Sequence, residues 1–242
     1  MKIAVCFSGM IRTGIQAAPN IINFIDDVLP SCEFFLHTWE QQSYRPPLGR
    51  HTLDDTAISD TPLLDFCNLY SIKQYQVNAF GTISNNSLHP LWYSWSNSVR
   101  LTQHGSYDYV VKLRPDIIFN PQLKLSDMLS RIQHGIFYSS HVWPFNKDKD
   151  LTMEDVLFIS DTSIMNTAIE FAQTTTRSLD NHADFCKYMS RKNIEVQGLD
   201  TCYFRGDYSI LRPEFAHLDP VIQYQQCEKG DKNIFYPEDT AK

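Results

Sequence analysis

The chain has 242 residues, 43% hydrophobic, 20% charged and 13% aromatic, a globular composition that excludes a disordered chain. Its 21 basic and 28 acidic residues give a formal net charge of −7, which argues against nucleic acid as the main partner because a duplex reader needs a concentrated basic face. No stretch approaches the ~20 apolar residues of a transmembrane helix.

Residues 2–7 read as a first buried strand, an apolar run too short for a secretory leader. Ser8 to Gly14 form a glycine-punctuated loop before a helix predicted over 17–28 and stopped by Pro30. A second strand over 32–37 ends in His37-Thr38-Trp39. Residues 40–62 are polar and rich in Pro, Asp and Thr, so they read as a long surface loop of the kind that is often functional. A helix over 62–70, a strand within 72–80 and a polar loop over 81–89 follow. Leu91, Trp92, Trp95 and Val99 recur at helical spacing, which predicts a helix over 91–104. Residues 107–119 carry the strongest strand signal, and 134–140 another. A polar segment with Lys147, Asp148, Lys149 and Asp150 leads into Met153-Glu154-Asp155 and an apolar run over 156–159. Asp161 or Thr162 caps a helix over 163–173, and a helix over 181–191 takes Asn193 as its C-terminal cap. This alternation predicts an α/β fold, a Rossmann-like mostly parallel sheet flanked by helices, in a single domain over 1–242. In such a sheet ligands sit at the carboxyl ends of the strands.

The six cysteines, Cys6, Cys32, Cys67, Cys186, Cys202 and Cys227, show no C-x-x-C or Cys/His zinc spacing. A reducing, cytoplasmic setting fits them.

Three strands end in polar residues. After the first, Ser8, Gly9, Arg12 and Thr13 either build a plain strand-to-helix turn or hold a phosphate on backbone N–H groups, with Arg12 supplying a guanidinium fork. The pattern matches neither a P-loop nor the G-x-G-x-x-G fingerprint. After the second, His37 is either a hydrogen-bonded structural residue or a wall of a nucleotide pocket beside Trp39. In the third, alternation puts Lys112, Arg114 and Asp116 on one side, and Pro115 forces the strand to bend or end. Two cations and a carboxylate among buried neighbours are costly without partners. Arg114 and Asp116 therefore either face a cleft or form an internal salt bridge. Glu154 and Asp155 are either surface carboxylates at an element start or a general base facing the same crevice.

Cys6-Phe7-Ser8-Gly9-Met10-Ile11-Arg12-Thr13, His37-Thr38-Trp39 and the run Tyr107-Asp108-Tyr109-Val110-Val111-Lys112-Leu113-Arg114-Pro115-Asp116-Ile117-Ile118 resemble a family of small bacterial and viral glycosyltransferase-like proteins. A later acidic segment, Glu154-Asp155-Val156-Leu157-Phe158, is similar too, so the resemblance covers residues 1–170. It implies a GT-A type glycosyltransferase. Residues 1–120 would form the nucleotide-sugar half and 121–242 the acceptor half.

In that family an Asp-x-Asp element holds a divalent cation on the donor diphosphate. Here Arg114 replaces the first acid, leaving Asp116 as the metal residue for Mn²⁺ or Mg²⁺. The resemblance makes Asp155 the base of first choice, Glu154 the second, and His217 a candidate near the diphosphate. Ser8, Gly9, Arg12, Thr13, His37, Trp39, Lys112, Arg114, Asp116 and Trp143 are the expected substrate-binding residues. Tyr44, Trp92 and Trp95 are further stacking candidates, the two tryptophans alternatively core, and the loop over 40–62 is placed to close over the donor.

The expected reaction moves a sugar from a nucleoside diphosphate to an acceptor hydroxyl on a glycan or surface polysaccharide. The alternatives are a metal-dependent nucleotidyltransferase or phosphohydrolase, and a catalytically inactive nucleotide-sugar-binding module.

Overall fold

A computed structural model of the chain describes residues 1–40, 60–79, 89–144, 150–174, 181–199, 207–211, 216–219 and 221–225. Its centre is a seven-stranded sheet built from β1 (Ile3–Ser8), β2 (Cys32–Trp39), β3 (Gln74–Asn78), β4 (Tyr109–Leu113), β6 (Ile136–Ser139), β9 (Leu157–Asp161) and β10 (Glu195–Gly198). The strand order is β10-β6-β9-β4-β1-β2-β3. Pairing is parallel except at β9, which runs antiparallel to both β4 and β6. The helices of the described residues include α1 (Gly14–Ile25), α2 (Asp60–Leu69), α3 (Pro90–Arg100), α4 (Leu125–Leu129), α5 (Thr162–Thr174) and α6 (Asn181–Arg191), with a further helical turn over 221–225.

The near-continuous apolar strands are explained by two cores, one on each face of the sheet. In β1, Ile3, Val5 and Phe7 enter the core shared with α1 and α2, while Ala4 and Cys6 enter the one shared with α3, α5 and α6. β4 divides in the same way, Val111 and Leu113 against Val110, and so does β9, Leu157 and Ile159 against Phe158. By this alternation Lys112 falls on the second face, among Cys6, Val110 and Phe158.

Pro115 ends the motif strand as its missing N–H requires. β4 stops at Leu113, and β5 (Ile117–Phe119) leaves the main sheet to pair antiparallel with β11 (Tyr208–Ile210). A second ribbon, β7 (Val142–Pro144) with β8 (Leu151–Met153), stands before β9. The first helix begins earlier than the apolar pattern indicates. Ala17 N–H already bonds the Thr13 carbonyl at 2.9 Å, so Pro19 lies inside α1 rather than at its start. The strand over 32–37 extends to Trp39, and the C-terminal cap Asn193 takes the left-handed φ of 57° expected of it. Positions 41–59 of the long loop, with Tyr44, lie outside the described residues, as do Cys202 and Cys227. Among the described residues no helix is long and apolar enough to cross a membrane.

Candidate functional site

The carboxyl ends of β1, β2 and β4 meet the amino end of β9 at one edge of the sheet, where Leu113 pairs with both Phe7 and Leu157. The β1–α1 loop closes under this edge with two tight positions. Gly9 takes φ 119°, a conformation that side-chain-bearing residues rarely adopt. At Gly14 a Cβ would stand 3.0 Å from the Phe66 ring and 3.1 Å from the Pro115 carbonyl, so the loop packs directly on the Arg-Pro-Asp turn. Between them Arg12 adopts φ 42°, at a cost on the order of 1 kcal/mol for a residue with a side chain.

Arg12 spends that strain next to Asp116. Its Nη1 is 3.6 Å from Asp116 Oδ2. Arg114 donates from Nε to Asp116 Oδ1 at 2.9 Å and from Nη2 to Oδ2 at 3.1 Å. The internal salt bridge is therefore formed, and Asp116 does not face a cleft: its side chain is 2% exposed, while Arg114 keeps 27% and Arg12 35%. Burial works to raise the Asp116 pKa, but the Arg114 and Arg12 guanidiniums outweigh it and hold the carboxyl below its ordinary range. A buried carboxylate thus holds two partly exposed guanidinium side chains side by side.

A second group of charges lies beside the first at the same strand end, close enough for Lys112 and Asp155 to feel Arg114. Lys112 is buried and donates its Nζ to the Asp155 backbone carbonyl, with the Phe158 ring 4.9 Å away. Burial pushes its pKa down to about 8. As an expected substrate contact Lys112 is corrected: it is enclosed and pins the main chain of Asp155. The Asp155 side chain, 22% exposed, places Oδ2 3.4 Å from His182 Nε2, an ion-pair separation. Burial raises the Asp155 pKa, but His182, Lys112 and Arg114 together hold the carboxyl well below the usual carboxylate range. His182 comes from the first turn of α6 and stands against the Trp92 ring, centroids 5.6 Å apart. It is 27 positions beyond Asp155, so sequence spacing carried no sign of the pair. Its only signal was a histidine opening an amphipathic helix.

Other candidates divide. His37 is fully buried, with Nδ1 2.9 Å from Ser94 Oγ and Nε2 2.8 Å from Asn78 Oδ1, and desolvation lowers its pKa to about 4. Trp39 is 3% exposed and packs on His37 and Tyr93. Both are enclosed within the fold, which favours the structural alternative over a nucleotide wall. Thr13 gives its hydroxyl to the Leu211 carbonyl at 2.9 Å, and Leu211 N–H bonds the Asp116 carbonyl at 2.9 Å, so residues beyond 170 brace this edge. Ser8 is buried, and Gly9 N–H bonds the His37 carbonyl. Glu154 accepts from Ser140 Oγ at 3.0 Å. Trp92 and Trp95 are both fully buried core residues. Trp143 lies on β7, partly exposed and stacked on His141, and His217 is exposed on a turn.

The Asp116 carboxylate does not fit a divalent cation. Both of its oxygens are taken by guanidiniums, and a third cation, Lys112, lies on the same strand. A metal entering here would have to displace Arg114 and stand beside Arg12, against their repulsion. The arrangement instead suits a bound anion, whose charge two fixed guanidiniums neutralise with forked donors. No protein-family model and no curated protein matches the chain.

Proposed function

We propose that the chain is a GT-A type glycosyltransferase that moves a sugar from a nucleoside diphosphate to an acceptor hydroxyl of a glycan or surface polysaccharide. One observation carries the reading: Arg12 and Arg114, fixed on buried Asp116 at the carboxyl ends of β1 and β4. Open α/β sheets take their ligands at this edge, and the resemblance of the Arg-Pro-Asp run assigns the donor diphosphate to it.

The chemistry needs what this edge supplies. As the bond from the sugar anomeric carbon to the diphosphate breaks, its electron pair leaves with the diphosphate, and negative charge grows there. Arg114 spends Nε and Nη2 on Asp116, which leaves its Nη1 edge outside that pair to meet phosphate oxygens. Because Asp116 holds the guanidiniums in place beforehand, no reorganisation is needed when the charge develops. The acceptor oxygen forms the new bond, and its proton goes to a base in the Asp155 group. Residues 1–120 form the donor half in this reading, and Trp143 on β7 offers an aromatic face to the acceptor.

The test is thermal shift and calorimetry with UDP, GDP, CDP, ADP and their sugar conjugates, in EDTA and in Mn²⁺. One base is expected to stabilise the protein by about 2.7 kcal/mol at a hundredfold excess over Kd, roughly 5–10 °C, equally in EDTA. Arg114→Ala and Arg12→Ala lose that shift. No stabilisation by any nucleoside diphosphate overturns the reading, and hydrolysis of mononucleotides replaces it with a phosphohydrolase.

A further inference from the structure

We infer that His182, oriented by Asp155, is the base that takes the acceptor proton; the assignment rests on the transferase reading above and makes His182 a catalytic residue and Asp155 a positioning residue. The geometry sets the two nitrogens of the imidazole apart. Nε2 is buried and meets no hydrogen-bond partner of good geometry, but Asp155 Oδ2 stands 3.4 Å from it, within ion-pair reach, and the side chain as a whole remains 38% exposed. The carboxylate beside Nε2 favours a proton on that nitrogen, which leaves Nδ1 as the lone-pair nitrogen. The ring is backed by Trp92, itself fully buried on α3, so its plane is restrained from behind. Asp155 is restrained from below, since Lys112 holds its carbonyl.

Asp155 is poorly suited to be the base itself. His182, Lys112 and Arg114 favour its ionised form so strongly that a proton placed on it would be given up at neutral pH. Imidazole is the side chain that most often serves as a general base. Lys112 and Arg114, which help keep Asp155 ionised, also make it a lasting negative partner for an imidazolium on His182.

The step balances as follows. The acceptor hydroxyl oxygen bonds to the anomeric carbon while its proton passes to His182 Nδ1. The bond from that carbon to the diphosphate breaks, and the electron pair leaves with the diphosphate between Arg12 and Arg114. Asp155 offsets the imidazolium until its proton returns to solvent.

The experiment measures release of nucleoside diphosphate from whichever sugar nucleotide stabilises the wild-type protein, with water as acceptor, in His182→Ala, His182→Gly and Asp155→Asn. Both His182 variants are expected to lose about 10²–10⁴-fold in kcat with unchanged affinity for the nucleoside diphosphate. Added imidazole restores turnover in His182→Gly and does nothing for Asp155→Asn. Normal turnover in the His182 variants overturns the assignment, and so does lost turnover that imidazole does not restore. In both cases nucleotide binding persists and the transferase reading survives. A wild-type protein that binds no nucleoside diphosphate instead overturns that reading, and this assignment falls with it.

Discussion

The sheet carries a cluster of ion pairs at each end, and the two are built on different terms. At the amino ends Glu33 meets Lys2 at 2.8 Å, Lys73 and the Tyr107 hydroxyl, with side chains 28%, 45% and 49% exposed for Glu33, Lys2 and Lys73. At the carboxyl ends Asp116 is 2% exposed and Lys112 1%. The first cluster is what solvent-facing strands acquire at little cost, and it contributes little. The second desolvates charges in a place where well-packed apolar residues would serve stability as well or better. The transferase reading proposed above accounts for such an arrangement through the exposed parts of Arg12, Arg114 and His182.

Breaking the buried cluster has the largest expected effect. Asp116→Ala strands Arg114 and Arg12 without their carboxylate, which is expected to cost about 3–5 kcal/mol, read from urea unfolding. Under the proposed reading, nucleoside diphosphate binding is expected to disappear with it, because nothing then aims the guanidiniums. A loss below 1 kcal/mol would place this cluster in the same class as the one around Glu33.

The next effect belongs to His37, which is buried at the same edge but takes no part in the cluster. Its folded pKa is lowered from 6.5 to about 4 by desolvation. Its contribution is therefore present in full above pH 6.5 and is lost as pH falls from there to about 4, roughly 3 kcal/mol in all. Unfolding followed between these values is expected to fall steeply in the wild type and less in His37→Gln. Parallel pH curves would show that His37 does not carry the difference.

This buried edge also shows how far the residues alone could be read. Alternation in 107–119 placed Lys112 on one face with Arg114 and Asp116 following, and Pro115 marked the end of the strand; both follow from local geometry. The strand-helix order gave the mostly parallel sheet for the same reason. Depth was not legible. Whether Asp116 faced a cleft depended on Arg12, about a hundred positions earlier, and on Leu211, about as far beyond. The short strands β7, β8, β10 and β11 carry three or four residues each, too few for a period to show. His182 entered the site only because α6 docks against β8 and Trp92, a tertiary event with no trace in spacing.

Lys112→Met sharpens the comparison by a smaller amount and with the opposite sign. The folded pKa of Lys112 is lowered from 10.5 to about 8, so its contribution to stability is full only above 10.5 and is lost as pH falls through 8. At neutral pH the charged lysine is a liability in the fold. Replacing it is expected to raise stability by about 1 kcal/mol at pH 7, a gain that shrinks towards about pH 10. The same variant releases the Asp155 carbonyl and is expected to lower turnover. A variant less stable at pH 7 would make Lys112 structural.

Glu33→Ala is the smallest change and marks the other pole of the comparison. Hydrogen bonds from Lys2, Lys73 and Tyr107 lower the Glu33 pKa from 4.5 to about 2. The associated stability is present above 4.5 and is lost as pH falls from there to about 2. The two lysines are nearly half exposed, so solvent screening leaves at most about 1 kcal/mol of it at neutral pH. In 1 M salt, where the Debye length is about 3 Å, wild type and variant are expected to unfold at nearly the same urea concentration. Asp116→Ala keeps its deficit in that salt, since its charges are shielded by protein rather than by ions. Equal salt sensitivity in the two variants would remove the distinction between the clusters, and with it the physical reason for assigning function to the carboxyl edge alone.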